Sequence, residues 1–287
     1  MSDAPDGHAG SGRRVKVIAV TGGKGGVGKS CVCANLAVAL STRGRAVMML
    51  DADLGLANLD VLLGLRPERT LADVLAGRCE LDDIVLGGPG GTSLVPAASG
   101  IAGMASLSAQ EHAGIIQAFS GLRRDLDVLL IDTAAGLSPS VLMFGQAAQE
   151  LLVVVCDEPA SLTDAYALIK VLSRDHGVSR FRMVANRCAS LTSARDLHHR
   201  LVGVCDRFLD VIVEFAGYVP DDEFLRRSVR QQRPVVAAYP GSPSALAFKK
   251  LAAAADTWSV PRGARGHLEF FVERLVLARP RTASVLQ

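Results

Sequence analysis

The chain has 287 residues, enough for one α/β unit of about 250 residues with short tails. A hydrophobic fraction of 49% with 28 glycines excludes a disordered regulator, and a formal charge of +2 is too weak a field to imply nucleic-acid binding by the protein as a whole. Six cysteines (Cys31, Cys33, Cys79, Cys156, Cys188, Cys205) without a Cys-x-x-Cys pair argue against a structural metal or a redox motif and for a reducing cytoplasm.

Residues 1–14 are polar and glycine-containing, so they read as a loose tail, neither a secretory signal nor a membrane span. From Val15 onward, short β-rich apolar runs alternate with longer helical stretches, the signature of successive βαβ crossovers. The predicted strands are Val15 to Thr21, Ala46 to Asp51, Ser93 to Pro96, Val128 to Asp132, Leu151 to Cys156, Arg182 to Ala185 and Val211 to Tyr218. All are far shorter than the roughly 20 apolar residues that cross a bilayer. Between them, Ser108 with Glu111 forms a capping box, Ser138-Pro139 opens a helix, and Gly177 closes a helix running from about Leu162. The prediction is a single α/β domain over residues 15–260 with a doubly wound, mostly parallel sheet. The segment Pro261 to Gly266 interrupts the pattern, and 261–287 should carry a separate C-terminal helix.

Directly after the first strand comes Gly23-Lys24-Gly25-Gly26-Val27-Gly28-Lys29-Ser30, which has the spacing of a phosphate-binding loop in its strand-to-helix context. Glycines let backbone N–H groups turn onto phosphate oxygens, and the helix that follows aims its positive end at the same charge. Lys29 would neutralise the β and γ phosphates, and Ser30 offers a hydroxyl to Mg²⁺. Asp51 and Asp53 follow the second strand and Asp132 closes the fourth, all at the carboxyl edge of the sheet where open α/β folds bind ligands. Any one of them alone also reads as a helix cap; three beside a phosphate loop point to metal and water positioning.

Lys24 in addition to Lys29, with Asp51-Ala-Asp53-Leu-Gly-Leu-Ala-Asn-Leu-Asp60, resembles the MinD/ParA family of deviant Walker A ATPases. The resemblance implies slow ATP hydrolysis with Mg²⁺ and an ATP-dependent homodimer in which Lys24 reaches the partner's nucleotide. It implies catalytic roles for Lys24, Lys29 and Asp53, with Asp53 activating the water. Ser30, Asp51 and Asp132 fall on the metal side. The loop from Gly23, Lys24, Gly25, Gly26, Val27 and Gly28 to Lys29, Ser30 and Cys31 would hold the phosphates. Asn186 matches an adenine-contacting asparagine, and Pro220-Asp221 a segment packed along the base, although an aspartate there also suits the N-cap of a helix starting near Asp222.

Arg69-Thr-Leu-Ala-Asp-Val-Leu, Ile131-Asp-Thr-Ala-Ala-Gly136, Thr163-Asp-Ala-Tyr-Ala-Leu-Ile-Lys170 and Gly266-His-Leu-Glu-Phe-Phe-Val-Glu-Arg-Leu275 narrow the resemblance to the FleN/FlhG group of flagellar-number regulators. Within that group the resemblance implies antagonism of the flagellar transcription activator FleQ. The GTPase FlhF is a second candidate partner, but residues 1–14 lack the Asp-Gln-Ala-containing helix of the forms that stimulate it. Leu268, Phe271, Val272 and Leu275 recur at i, i+3, i+4 and i+7, predicting an amphipathic helix over 267–277. Such a helix packs on the domain or makes a peripheral membrane contact at the inner face of the cell membrane or the pole. The rival function is a ParA/MinD-type ATPase that positions another cargo on nucleoid or membrane, and direct DNA binding is not expected. Cys31 and Cys33 read as core residues, His198-His199 as solvated, and the basic run Glu223 to Arg233 as a solvated face or a contact for phosphate or an acidic protein.

Overall fold

The computed structural model describes residues 14–55, 57–97, 107–259 and 269–271. Eight strands, β1 (Lys16–Thr21), β2 (Val47–Ala52), β3 (Leu86–Gly87), β4 (Ser93–Val95), β5 (Val128–Thr133), β6 (Glu150–Cys156), β7 (Arg180–Cys188) and β8 (Ile212–Pro220), form one sheet in the order β3-β4-β2-β5-β1-β6-β7-β8. Every pairing is parallel except β3 with β4. All seven predicted strands are present. The eighth, β3, is a two-residue antiparallel edge whose Leu-Gly carries too short a pattern to be read.

The sheet is wound on both faces because alternate residues of each central strand feed different cores. Val17 and Ala19 of β1 join Met48, Leu50, Leu129 and Ile131 on one side, packed by the helices Ala109–Ala118, Pro139–Ala147, Pro159–His176 and Leu191–Phe208. Ile18 and Val20 join Met49 and Leu130 on the other, beneath the helices Lys29–Ser41 and Pro243–Thr257. β1, β2 and β5 are buried along their whole length, as a parallel sheet with both faces covered requires. The expected boundaries hold: Ser108 and Ser138 cap their helices, and Gly177 ends the Pro159–His176 helix at a φ of 67°.

Three features consolidate the margins. Arg182 of β7, 6% exposed, donates to the buried Glu150 of β6 at 2.7 Å and pairs with Glu214 of β8, with Trp258 stacked on its guanidinium at 4.5 Å. Lys16 Nζ donates to the carbonyls of Ala255 and Asp256, tying the end of the Pro243–Thr257 helix to β1. Of the predicted helix over 267–277, the described residues 269–271 form a turn with Phe271 at a φ of 55°, and the remainder lies outside the described residues. That turn differs from the helical expectation in a physical way. Neighbouring residues on a helix diverge by about 100°, whereas here Phe270 and Phe271 both enter the same cleft and meet Phe119 at centroid distances of 5.2 and 6.0 Å. Phe270 also stacks on Phe144 at 6.2 Å. Among the described residues, no helix is long and apolar enough to cross a membrane.

Phe119, fully buried beneath both tail aromatics, should therefore be costly to truncate. Phe119→Ala is expected to lose roughly 3–5 kcal/mol of stability in urea denaturation, against under about 1 kcal/mol for an exposed control such as Arg195→Ala.

Candidate functional site

Because all but one pairing is parallel, the ends of β1, β2, β5, β6, β7 and β8 share one edge of the sheet, and the glycine loop lies there between β1 and the helix Lys29–Ser41. Two of its glycines are demanded by close approach. A side chain on Gly23 would come within 2.1 Å of the Asp164 carbonyl oxygen, and one on Gly28, at a φ of 97°, within 2.4 Å of Asn186 Nδ2. Asn186 Nδ2 donates to the Val27 carbonyl at 2.7 Å, so the end of β7 braces the loop. The Asn186 side-chain oxygen, Oδ1, is buried with no hydrogen-bond partner among the described residues.

The acidic residues converge as predicted from their strand ends. Asp51 and Asp132 sit opposite each other in the β2·β5 register, each 1% exposed. Burial pushes the Asp51 carboxyl up to about 7 although it accepts from the N–H groups of Leu59, Asn58 and Asp53 at 3.0, 3.0 and 3.2 Å. Asp132 is raised as well, first by burial and then by the charge of Asp51, while a hydrogen bond from Ser30 and the charge of Lys29 oppose the shift. Its Oδ1 is buried without a partner among the described residues. Lys29 is 8% exposed, and burial lowers its ammonium from the usual range against the attraction of Asp132 and Asp53. A cation and two buried acids thus face one another, with Asp53 at the rim.

Lys24 goes elsewhere. Its side chain stands at the surface, 37% exposed, and donates to Glu158 Oε2 at 2.5 Å, a contact that raises the Lys24 ammonium and lowers the Glu158 carboxyl. Glu158 follows β6 at the same sheet edge, which was its only sequence signal. Gly136 N donates to the Gly22 carbonyl at 3.3 Å, joining the β5 loop to the glycine loop. Cys31 is half-buried behind Ser30, and Asn35 donates to its carbonyl at 2.8 Å. Pro220 ends β8, but the cap of the next helix is Asp222, whose side chain accepts from Phe224 N; Asp221 instead pairs with Arg226. His198 is partly buried with Nε2 at 2.8 Å from the Val213 carbonyl, not solvated like its neighbour His199.

This arrangement fits a magnesium nucleotide. The unpartnered Asp132 oxygen beside Ser30 offers hard oxygens to a metal and its waters. Lys29, facing Asp132 and Asp53, presents a buried cation suited to phosphate oxygens, and the unpartnered Asn186 Oδ1 can accept from an exocyclic amine.

Comparison with known proteins agrees. The CobQ/CobB/MinD/ParA nucleotide-binding domain family matches residues 18–235. The chain is 59% identical to the antiactivator FleN of Pseudomonas aeruginosa over 96% of its own length and 99% of that protein. It is 33% identical to the flagellum site-determining protein YlxH of Helicobacter pylori, covering 76% and 74% of the two chains. The septum site-determining protein MinD of Pyrococcus horikoshii, solved as a complex with Mg-ADP, superposes with a TM-score of 0.69 at 28% identity over 85% of this chain and 97% of that one.

A pH dependence follows from Asp51. Its folded-state pKa of about 7 lies above that of an unfolded aspartate, so the nucleotide-free protein gains stability in acid and loses it as pH rises from about 4 to about 7. Asp51→Asn should raise the melting temperature of the nucleotide-free protein by several degrees at pH 8 and by clearly less at pH 5. A scan at the two pH values checks this.

Proposed function

Because the chain belongs to the CobQ/CobB/MinD/ParA nucleotide-binding family, we propose that it is an ATP-driven dimerisation switch that restrains the flagellar transcription activator FleQ and thereby sets flagellar number. The P. aeruginosa relative named antiactivator FleN, matched over almost the full length of both chains, supports the regulatory half of this reading. The observation that carries the switch is the divergence of the loop's two lysines. Lys29 is buried against Asp132, whereas Lys24 stands at the rim with its charge held by the exposed Glu158. A lysine at the rim, its charge held only by an exposed carboxylate, supports a role for Lys24 toward a second copy brought edge to edge.

In this reading Ser30, Asp51 and Asp132 form the metal side of the site, and Mg²⁺, when bound, neutralises charge on the transferring phosphoryl group. The N–H groups from Gly23 to Cys31 and the Lys29 ammonium hold the triphosphate of ATP. Asn186 accepts from the adenine amine, and Pro220-Asp221 borders the base. Asp53 orients the attacking water and takes its proton at a carboxylate oxygen. Positioning and charge carry most of such a reaction, so turnover is slow until the partner's Lys24 completes the site. Hydrolysis removes the charge that both lysines share, and the copies separate.

Asp53→Ala should bind ATP with near-parental affinity, hydrolyse it at least about 100-fold more slowly, and remain dimeric in analytical ultracentrifugation. Lys24→Ala should bind ATP and stay monomeric, and parental hydrolysis by Asp53→Ala would remove its role. For the regulatory half, immobilised protein should retain FleQ and suppress its ATPase activity with ATP but not with ADP; equal retention with both nucleotides would defeat the switch.

A further inference from the structure

We propose that the helix Glu223–Arg230 and the loop after it, centred on Arg230 and Arg233, form the docking surface for an acidic segment of a protein partner and present it according to nucleotide state. The inference rests on the reading of the chain as a nucleotide-dependent regulator of another protein and assigns the surface that does the regulating.

The segment Glu223-Phe-Leu-Arg-Arg-Ser-Val-Arg-Gln-Gln-Arg233 buries little of itself. Within the helix only Leu225 and Ser228 face the core, and Asp222 anchors its start by accepting from Phe224 N, Ser244 N and Ser244 Oγ. Four arginines remain outside, and they are not equivalent. Arg226 pairs with Asp221 and Arg227 with Glu223, so their charges are answered within the segment. Arg230 and Arg233 are exposed and meet no acidic group among the described residues. Beside them, Phe224 and Val229 are 43% and 40% exposed. Phe224 lies 5.2 Å from the Tyr239 ring and beneath the Arg227 guanidinium.

Charge decides the kind of partner. The surface offers unanswered guanidinium forks, which match carboxylates bidentately. A nucleic acid would need a continuous cationic track, yet the exposed Asp221 and Glu223 interrupt this one and the chain as a whole carries only +2. Arginine set among exposed aromatic and aliphatic side chains is instead the composition of energetic centres in protein interfaces. The occupant that fits is an acidic peptide segment with apolar anchors.

Position supplies the link to the nucleotide. The surface begins directly after Pro220-Asp221 at the end of β8, on the sheet edge that carries the glycine loop. Just before Arg233 the chain passes through Gln232, a non-glycine residue with a φ of 54°, whose carbonyl would stand 3.4 Å from a β-carbon placed on Gly64. Gly64 caps the short helix Leu59–Leu63, and the first N–H groups of that helix are held by Asp51. The helix therefore starts beside the candidate base-binding segment, and the loop bearing Arg233 lies near the short helix whose first N–H groups Asp51 holds.

The test uses the full chain with ATP, purified FleQ as the probe and a double-stranded DNA fragment as the competing one. Arg230→Glu/Arg233→Glu should weaken FleQ retention roughly ten-fold or more, and parental retention should fall with added salt. ATP-dependent dimerisation and hydrolysis should stay parental, which also shows that the variant folds. Arg230→Ala/Arg233→Ala should weaken retention less, and Arg195→Glu on the helix Leu191–Phe208 should leave it unchanged. Parental retention by the Glu variant overturns the docking surface while leaving the switch intact. DNA binding that the same variant abolishes overturns it in favour of nucleic acid. Failure of the parental protein itself to retain FleQ overturns the function proposed above, and this surface with it.

Discussion

One electrostatic conflict organises this molecule: a parallel sheet drives Asp51 and Asp132 to adjacent, almost fully buried strand ends, and among the described residues Lys29 is the cation that faces them. Two carboxylates and one ammonium at low exposure cannot all be charged at ease. The displaced pKa of Asp51 and the lowered ammonium of Lys29 express that unease. Parallel pairing is what makes it unavoidable, because β2 and β5 must end on the same edge in register. A polyanion with its metal supplies the missing charges of both signs. The site is consequently poor as a resting arrangement and good as a receptor, and the fold tolerates it because the sheet beneath is buried on both faces.

Much of this was legible in the residues. The glycine loop needs a strand before it and a helix after it, and the apolar runs on either side supplied both. Asp51, Asp53 and Asp132 could be placed because an aspartate ending a β-rich run falls at a strand's carboxyl end whatever the rest of the fold does. Strand order was not legible in that way. Nothing local says that β5 inserts between β2 and β1, since that choice is made by long-range packing of helices on the two faces.

What escaped did so for two physical reasons. Glu158 lies far along the chain from Lys24 and carries no periodic signal, so only the shared sheet edge brings them together. In the C-terminal segment the helical period of apolar residues suggested one continuous face, yet the turn at Phe271 sends two consecutive aromatics into one cleft beside Phe119. A hydrophobic pattern records which residues seek burial, but the geometry by which they reach it depends on the cavity they find. The same limit applies at Asp221, which suited the start of a helix near Asp222, whereas the cap is Asp222 itself, held also by Ser244 from another helix.

The contact between Gly23 and the backbone of Asp164 has a mechanical consequence. With no room for even a methyl group between them, the entrance of the loop and the second turn of the helix Pro159–His176 cannot slide past each other without parting altogether. They form a single rigid wedge. From Asp164 that helix runs on to His176, about 18 Å away at 1.5 Å per residue for 12 residues, so a distant surface is joined through one stiff element to the chemistry it never touches.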